Sequence, residues 1–153
     1  MAEVDRIRDQ IVNAYEGGAW HGPSVKEVLE GVTAAQAARR PIAAAHSIWE
    51  IVLHVAVWQE IVGRRLTGEP GREVPPEEDF PPVQDTSEAA WAAALDRLAT
   101  AHAGLLRAME GVRDDQLDQA PAAQVPRSRY VLLHGAAQHD IYHAGQIAVL
   151  RKG

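Results

Sequence analysis

The strongest pattern in the sequence is the amphipathic period of its last segment. Apolar residues and histidines recur there at steps of three or four, the spacing of one helix face, at Leu132, Ala136, His139, His143, Ile147 and Leu150. The stretch from His134 to Lys152 is therefore predicted to lie in one long helix, with Ser128 as its N-terminal cap. His139 and His143 are one turn apart, so their imidazoles can close on a single metal ion.

This histidine pair does not by itself establish a metal site. In the H-E-x-x-H motif of metalloproteases a glutamate follows the first histidine, whereas Asp140 stands at that position here. Two histidines on one helix face are about as often hydrogen-bonded or solvated as metal-bound. The metal hypothesis therefore depends on a third ligand from another part of the chain.

Composition limits the classes of protein to consider. The chain has 153 residues, 46% hydrophobic and 24% charged, which fits a single domain over residues 1–153. It has no cysteine, so any metal must be held by nitrogen and oxygen. A net charge of −6 argues against a nucleic-acid partner. Without a long apolar run or a signal-peptide pattern, we expect a cytoplasmic protein and no membrane partner.

The remaining segments also have helical periods. We predict three further long helices, over residues 3–16, from Ser47 to about Leu66, and from a start within 85–88 to a stop at Gly111. Short helical segments are predicted over 25–30 and 33–40, and a helical turn over 114–119. No convincing strand pattern occurs. The segment Gly68–Gln84 contains five prolines and is predicted to be a linker without regular helix. Its length allows the flanking helices to lie parallel.

Several polar residues have two interpretations. His54 lies at the edge of an apolar stripe, either as a core histidine bonded to a carbonyl or as the third metal ligand. His102 is predicted to be a satisfied core or pocket histidine, and His21 a solvated loop histidine or a residue at the rim of a site. The acidic run 77–79 is predicted to be solvated rather than a ligand cluster. The sequence assigns no role to His46 or His134.

Two stretches carry a family resemblance, 45–58 (AHSIWEIVLHVAVW) and 134–147 (HGAAQHDIYHAGQI). Together with the helix layout, they make the chain similar to the DinB-like superfamily. The resemblance implies an all-α fold, a four-helix bundle with a long crossover between its second and third helices, in up-down-down-up order. It also implies a metal triad of one histidine from the second helix and two from the fourth, which are His54, His139 and His143 here.

A three-histidine site leaves open positions on a divalent ion, as catalytic sites do. Zinc or nickel suits such donors best, and iron or manganese is also compatible. Glu50, Asp140 and Gln146 are candidates for the outer groups that orient the ligands. Trp58 and Tyr142 either shape a pocket or only pack. No catalytic residue is assigned.

Characterised members of the superfamily imply a metal-dependent transferase whose small-molecule substrate is a low-molecular-weight thiol. The alternatives are a metal-dependent hydrolase and a non-catalytic metal-binding protein of stress response or interaction. A thiol transferase should have a cationic or amide-rich pocket beside the triad, and a non-catalytic binder should have a fourth protein ligand. Apolar helix faces also make a homodimer an expectation.

Overall fold

The computed structural model describes residues 1–153, and the protein is all-helical without strands. Seven α-helices and one 3-10 turn (Asp114–Gln116) follow one another along the chain. The helices are α1 (Glu3–Glu16), α2 (Val25–Leu29), α3 (Ala34–Ala38), α4 (Ile48–Leu66), α5 (Pro76–Asp79), α6 (Glu88–Met109) and α7 (Arg129–Leu150). None of them has the length and apolar character that crossing a membrane requires.

Hydroxyl side chains cap most of these helices. Ser47 accepts a hydrogen bond from the backbone N–H of Glu50, and Ser128 accepts one from Val131, so both predicted caps are confirmed. The cap of α6 is Ser87, while the carboxylate of Asp85 accepts from the Ser87 N–H. Each cap satisfies an N–H that the helix leaves free and stabilises the helix by about 1 kcal/mol.

Two hydrophobic clusters hold the long helices together. One joins α2 and α3 to α4, α6 and α7, and in it the rings of Trp49 and Trp91 lie 5.1 Å apart. The other packs α1 against α4, α6 and α7 through fully buried residues such as Ile11 and Leu133. A β-carbon on Gly63 of α4 would lie 3.6 Å from the Cα of Leu105, so α4 and α6 approach closely.

The linker between α4 and α6 is not wholly irregular, and the prediction of no regular helix there is wrong for Pro76–Asp79. Pro76 occupies the first helical position, where a missing N–H removes no helical hydrogen bond. The acidic residues in the first turn stabilise the helix through their interaction with its dipole. The linker is also tied down, because Gly71 donates from its backbone N–H to the carbonyl of Ala123 at 2.8 Å. Farther along the linker, the ring of Phe80 stacks on His54, which places the end of α5 against α4.

Candidate metal centre

Three histidine side chains from two helices converge in the protein. His54 comes from α4, and His139 and His143 come from successive turns of α7. Each offers one ring nitrogen, and these three atoms lie within 4.8 Å of one another. The structure therefore brings together the residues that the sequence singled out as a triad, and the group can hold a metal ion.

The nitrogen spacings fit a common ion. Nε2 of His139 lies 3.0 Å from Nε2 of His54 and 3.1 Å from Nε2 of His143. Two nitrogens bound at about 2.1 Å to one ion, at angles of about 90–110°, are separated by about 3.0–3.4 Å. His139 thus lies at the separation of a co-ligand from both His54 and His143, and all three nitrogens lie within 4.8 Å of one another.

The outer nitrogens show where the protons lie. Nδ1 of His54 is 2.8 Å from the carbonyl oxygen of Asp79, and Nδ1 of His143 is 2.6 Å from Oε1 of Gln146. Because both oxygens only accept, each Nδ1 donates, and each neutral ring keeps a lone pair on Nε2. His139 can supply at most one proton to these two lone pairs. At least one of the close Nε2–Nε2 contacts therefore lacks a proton, and a cation between the rings removes that conflict.

Burial keeps these imidazoles neutral, the form that binds metal. Loss of solvation lowers the pKa of His139 to about 3, with the nearby His143 and His54 adding to the effect. Loss of solvation also lowers the pKa of His143 to about 4, and it lowers the pKa of His54. The lone pairs are consequently free near neutral pH.

The linker supplies one side of the centre. Phe80 is stacked between two imidazoles, 3.9 Å from the ring of His54 and 3.7 Å from that of His46. The carboxylate of Asp79 accepts from the indole N–H of Trp58 at 2.7 Å and lies 3.1 Å from Nδ1 of His54. Asp79 thus helps to position a triad histidine. The prediction that the acidic run 77–79 is merely solvated is therefore wrong for Asp79.

The three residues that were expected to orient the triad histidines have different hydrogen-bond partners. Gln146 bonds to His143 as predicted. Glu50 instead completes the cap of α4 by accepting from the Ser47 N–H, and it pairs with Arg40. Asp140 accepts from Gln59 at 2.8 Å and contacts no triad nitrogen. Loss of solvation raises the pKa of Asp140 to about 7.

An open cavity of about 810 Å³, called the main cavity below, lies over the triad. All three triad histidines line it, and apolar residues supply much of the remaining wall. Tyr142, Gln146 and His46 are its other polar or amphipathic residues, and neither lysine nor arginine is among the lining side chains. Tyr142 is 64% exposed, so it borders the opening rather than packing in the core.

A second cavity of about 190 Å³ lies on the other side of His139 and is called the arginine cleft. Its walls include Arg65, Arg127 and Trp58, and its buried polar residues are Gln59 and Asp140. His139 is the residue that lines both cavities. No sequence pattern indicates this cleft, because Arg65 and Arg127 are 62 residues apart.

The other histidines do not join the triad. His102 is 3% exposed and stacks on Tyr15 at 4.0 Å, but neither of its ring nitrogens has a partner in the protein. Its expected burial is confirmed, and its expected hydrogen bonding is wrong. His21 is exposed, as expected, and does not line the main cavity. His134 packs its ring against Tyr130.

These features define an all-helical protein with a three-histidine group that can bind metal, beside an open cavity. The chain belongs to the DinB superfamily, whose family model matches residues 20–147. This range contains all three triad histidines and confirms the resemblance seen in the sequence. No curated protein and no solved structure matches the chain.

Proposed function

We propose that the protein is a metal-dependent enzyme in which His54, His139 and His143 hold a divalent ion, zinc or nickel, at the base of the main cavity. The observation that carries this proposal is the convergence of three histidine nitrogens beneath an open cavity, with Nε2 of His139 3.0 Å from that of His54 and 3.1 Å from that of His143. A bound ion there would lower the pKa of a thiol or water and polarise an electrophile.

The donor set favours catalysis over mere metal storage. The group contains three histidines and no fourth histidine or carboxylate. Structural zinc sites are usually closed by four protein ligands, whereas catalytic sites have three and leave a position for substrate. The cavity over the triad gives a substrate access to that position.

Within this class we propose a transferase that uses a low-molecular-weight thiol. The reaction joins the thiol sulfur to an electrophilic carbon, breaks the bond from that carbon to its leaving group, and releases the thiol proton to solvent. The chain's own residues would orient the reactants: Gln146 holds His143 in place, and Phe80 and Tyr142 offer apolar surface to the electrophile. The two arginines beside His139 supply the cationic surface expected for a carboxylated thiol.

A metal-dependent hydrolase is the second candidate. The observation in its favour is the absence of lysine and arginine from the lining of the main cavity, which suits a neutral, apolar substrate that reacts with water.

The test is a reaction assay on zinc-loaded and nickel-loaded protein with N-acetyl-L-cysteine as the thiol and a fluorogenic alkyl halide as the electrophile. We expect thiol-dependent turnover above the uncatalysed rate, lost by His54→Ala and retained by His21→Ala, which alters an exposed histidine away from the triad. Hydrolysis of an aryl ester without thiol would favour the hydrolase. Absence of both reactions in metal-loaded protein would leave the non-catalytic alternative.

We also propose that α1, α4, α6 and α7 form the up-down-down-up bundle. Trp49 near the start of α4 contacts Trp91 near the start of α6, and Gly63 near the end of α4 approaches Leu105 near the end of α6. These two contacts support a parallel arrangement of α4 and α6. Oxidation of cysteines placed at 63 and 104 in this cysteine-free chain should give an intramolecular disulfide. Cysteines at 63 and 88 should not cross-link, and the reverse result would contradict the topology.

A homodimer is proposed on the outer face of α7. Its exposed residues outside the lining of the main cavity include Tyr130, Val131 and Gln138, and none of the exposed residues on this helix is charged. Light scattering coupled to size exclusion should give twice the chain mass of 16.6 kDa. Gln138→Arg lies on this face outside both cavities and should yield monomer, whereas Gln10→Arg on α1 should not. A monomeric wild-type protein would overturn the dimer.

A further inference from the structure

His46 lines the main cavity beside the triad but is not a member of it. It directly precedes Ser47, the cap of α4, and 46% of its side chain is exposed. The other titratable residue of the lining outside the triad is Tyr142, and a phenol is a poor proton acceptor near neutral pH. Imidazole, by contrast, accepts and releases protons in that range. His46 is therefore the residue of this cavity that is suited to carry a proton.

Stacking fixes the position of the His46 ring. The ring of Phe80 lies 3.7 Å from that of His46 and 3.9 Å from that of His54, and the interplanar angle is 5° in both pairs. Because Phe80 separates the two imidazoles, His46 cannot share an ion with His54. Only one aromatic ring lies between His46 and a triad histidine, so a substrate group held at the triad can reach His46 directly or through one water.

The ring nitrogens of His46 are free to act. Nδ1 lies 3.7 Å from Oε2 of Glu50, which is a charge contact rather than a hydrogen bond. No residue of the protein bonds to Nε2, and the ring is open to solvent. The triad differs in this respect, because Nδ1 of His54 and Nδ1 of His143 are both hydrogen-bonded and the Nε2 atoms face one another.

We propose that His46 is the proton acceptor of the reaction at the triad, taking a proton from the nucleophile and passing it to solvent. In the transferase, Nε2 of His46 accepts the S–H proton, and the sulfur electron pair forms the bond to the electrophilic carbon. The electron pair of the broken bond departs with the leaving group, and the exposed ring returns its proton to water.

The same step serves the hydrolase alternative. There Nε2 of His46 accepts a proton from the attacking water and gives it to the leaving alcohol. The inference therefore rests on the proposed metal-dependent catalysis at the triad, but not on the choice between its two reactions.

The experiment uses two variants of the metal-loaded protein in the thiol-transfer and ester-hydrolysis assays. His46→Phe keeps an aromatic ring to stack on Phe80 but cannot accept a proton, and His46→Ala leaves space for a small molecule. A positioned proton acceptor contributes about 10²–10⁴-fold, so both variants should lose at least about 100-fold in kcat with little change in KM. Their metal content and thermal melting should match those of wild-type protein.

Chemical rescue separates proton transfer from packing. Added imidazole should restore turnover to His46→Ala, after subtraction of the rate without protein, whereas pyrazole, a much weaker base of the same size, should not. His46→Phe should not respond, because its ring fills the space. His21→Ala, which alters an exposed histidine outside the main cavity, should keep full turnover with or without imidazole.

The outcomes distinguish this inference from the proposed function. Full turnover in His46→Phe, together with its loss in His54→Ala, overturns the role of His46 and leaves the metal-dependent enzyme standing. Equal rescue by imidazole and pyrazole, or loss of metal from both His46 variants, also overturns that role. If wild-type protein hydrolyses the ester but transfers no thiol, rescue by imidazole alone supports the role of His46 while the transferase fails.

Discussion

Oε1 of Gln146 lies 2.6 Å from Nδ1 of His143, one helical turn earlier on α7. The amide oxygen fixes the ring so that Nε2 points toward the other two triad histidines. Replacing Gln146 with leucine should therefore weaken metal affinity about 10–100-fold while the three ligands remain. Competition with a fluorescent chelator measures this change.

Gln138→Leu is the matched control for that experiment, because Gln138 is an exposed glutamine on the same helix. It should leave metal affinity unchanged. Equal affinity of the Gln146 variant and wild-type protein would show that the hydrogen bond to His143 does not orient a ligand.

Phe80 connects the linker to the centre through its stacking on His46 and His54. Phe80→Ala should lower the free energy of unfolding by about 1–3 kcal/mol, since a partly buried ring loses both of its stacked neighbours. Glu77→Ala, an exposed change in α5, should stay within about 0.5 kcal/mol of wild type. Urea unfolding provides both values, and a neutral Phe80→Ala would mean that the linker is not docked.

Because His102 is buried, its protonation should make the stability of the protein depend on pH. Loss of solvation lowers its pKa from 6.5 to about 4, so the unfolded chain binds its proton more readily than the folded chain does between these values. The contribution of the neutral His102 ring to the free energy of unfolding is therefore fully present above about pH 6.5. As the pH falls toward 4, this contribution is lost, and the free energy of unfolding decreases by up to about 3 kcal/mol.

His102→Leu should remove this part of the pH dependence. Metal-free wild-type and variant proteins are compared by urea unfolding at several pH values over that range. The stability of the wild type relative to the variant should decrease as the pH falls. A constant difference across the range would contradict the assignment of a neutral, buried imidazole.

Substitutions at Gly63 test how closely α4 and α6 approach each other. A β-carbon there would make ordinary contact with the Leu105 backbone at 3.6 Å, and we expect the longer side chain of leucine to press against that backbone. Gly63→Ala should be within about 1 kcal/mol of wild type, and Gly63→Leu should lose more than about 2 kcal/mol. Thermal and urea unfolding measure the two effects, and tolerance of leucine would show that the helices pack less closely.

The sequence predicted the long helices well because their signals are local. Ser47 and Ser128 begin α4 and α7 as caps, and the apolar period gives the buried faces. The pairing of His139 with His143 also follows from helix geometry alone, whereas their meeting with His54 was supplied by the family resemblance. Gln146 could be predicted as a partner of His143 because residues three apart share a helix face.

The parts that the sequence missed depend on long-range packing. Asp140 follows His139 by one residue and so points about 100° away around α7, where it meets Gln59 of α4 instead of a triad histidine. Asp79 and Phe80 lie in a proline-rich segment whose composition indicates only a linker. Their contact with His54 depends on how the linker folds back, for which the sequence has no periodic signal.

Metal content of tag-free protein tests the central claim most directly. Inductively coupled plasma mass spectrometry should find close to one zinc or nickel per chain in wild-type protein and in His21→Ala. His54→Ala and His139→Ala should each lose nearly all of it, since two remaining imidazoles hold the ion weakly. Wild-type protein that takes up no zinc, nickel, iron or manganese on reconstitution, or triad variants that retain the metal, would contradict a metal centre at these three histidines.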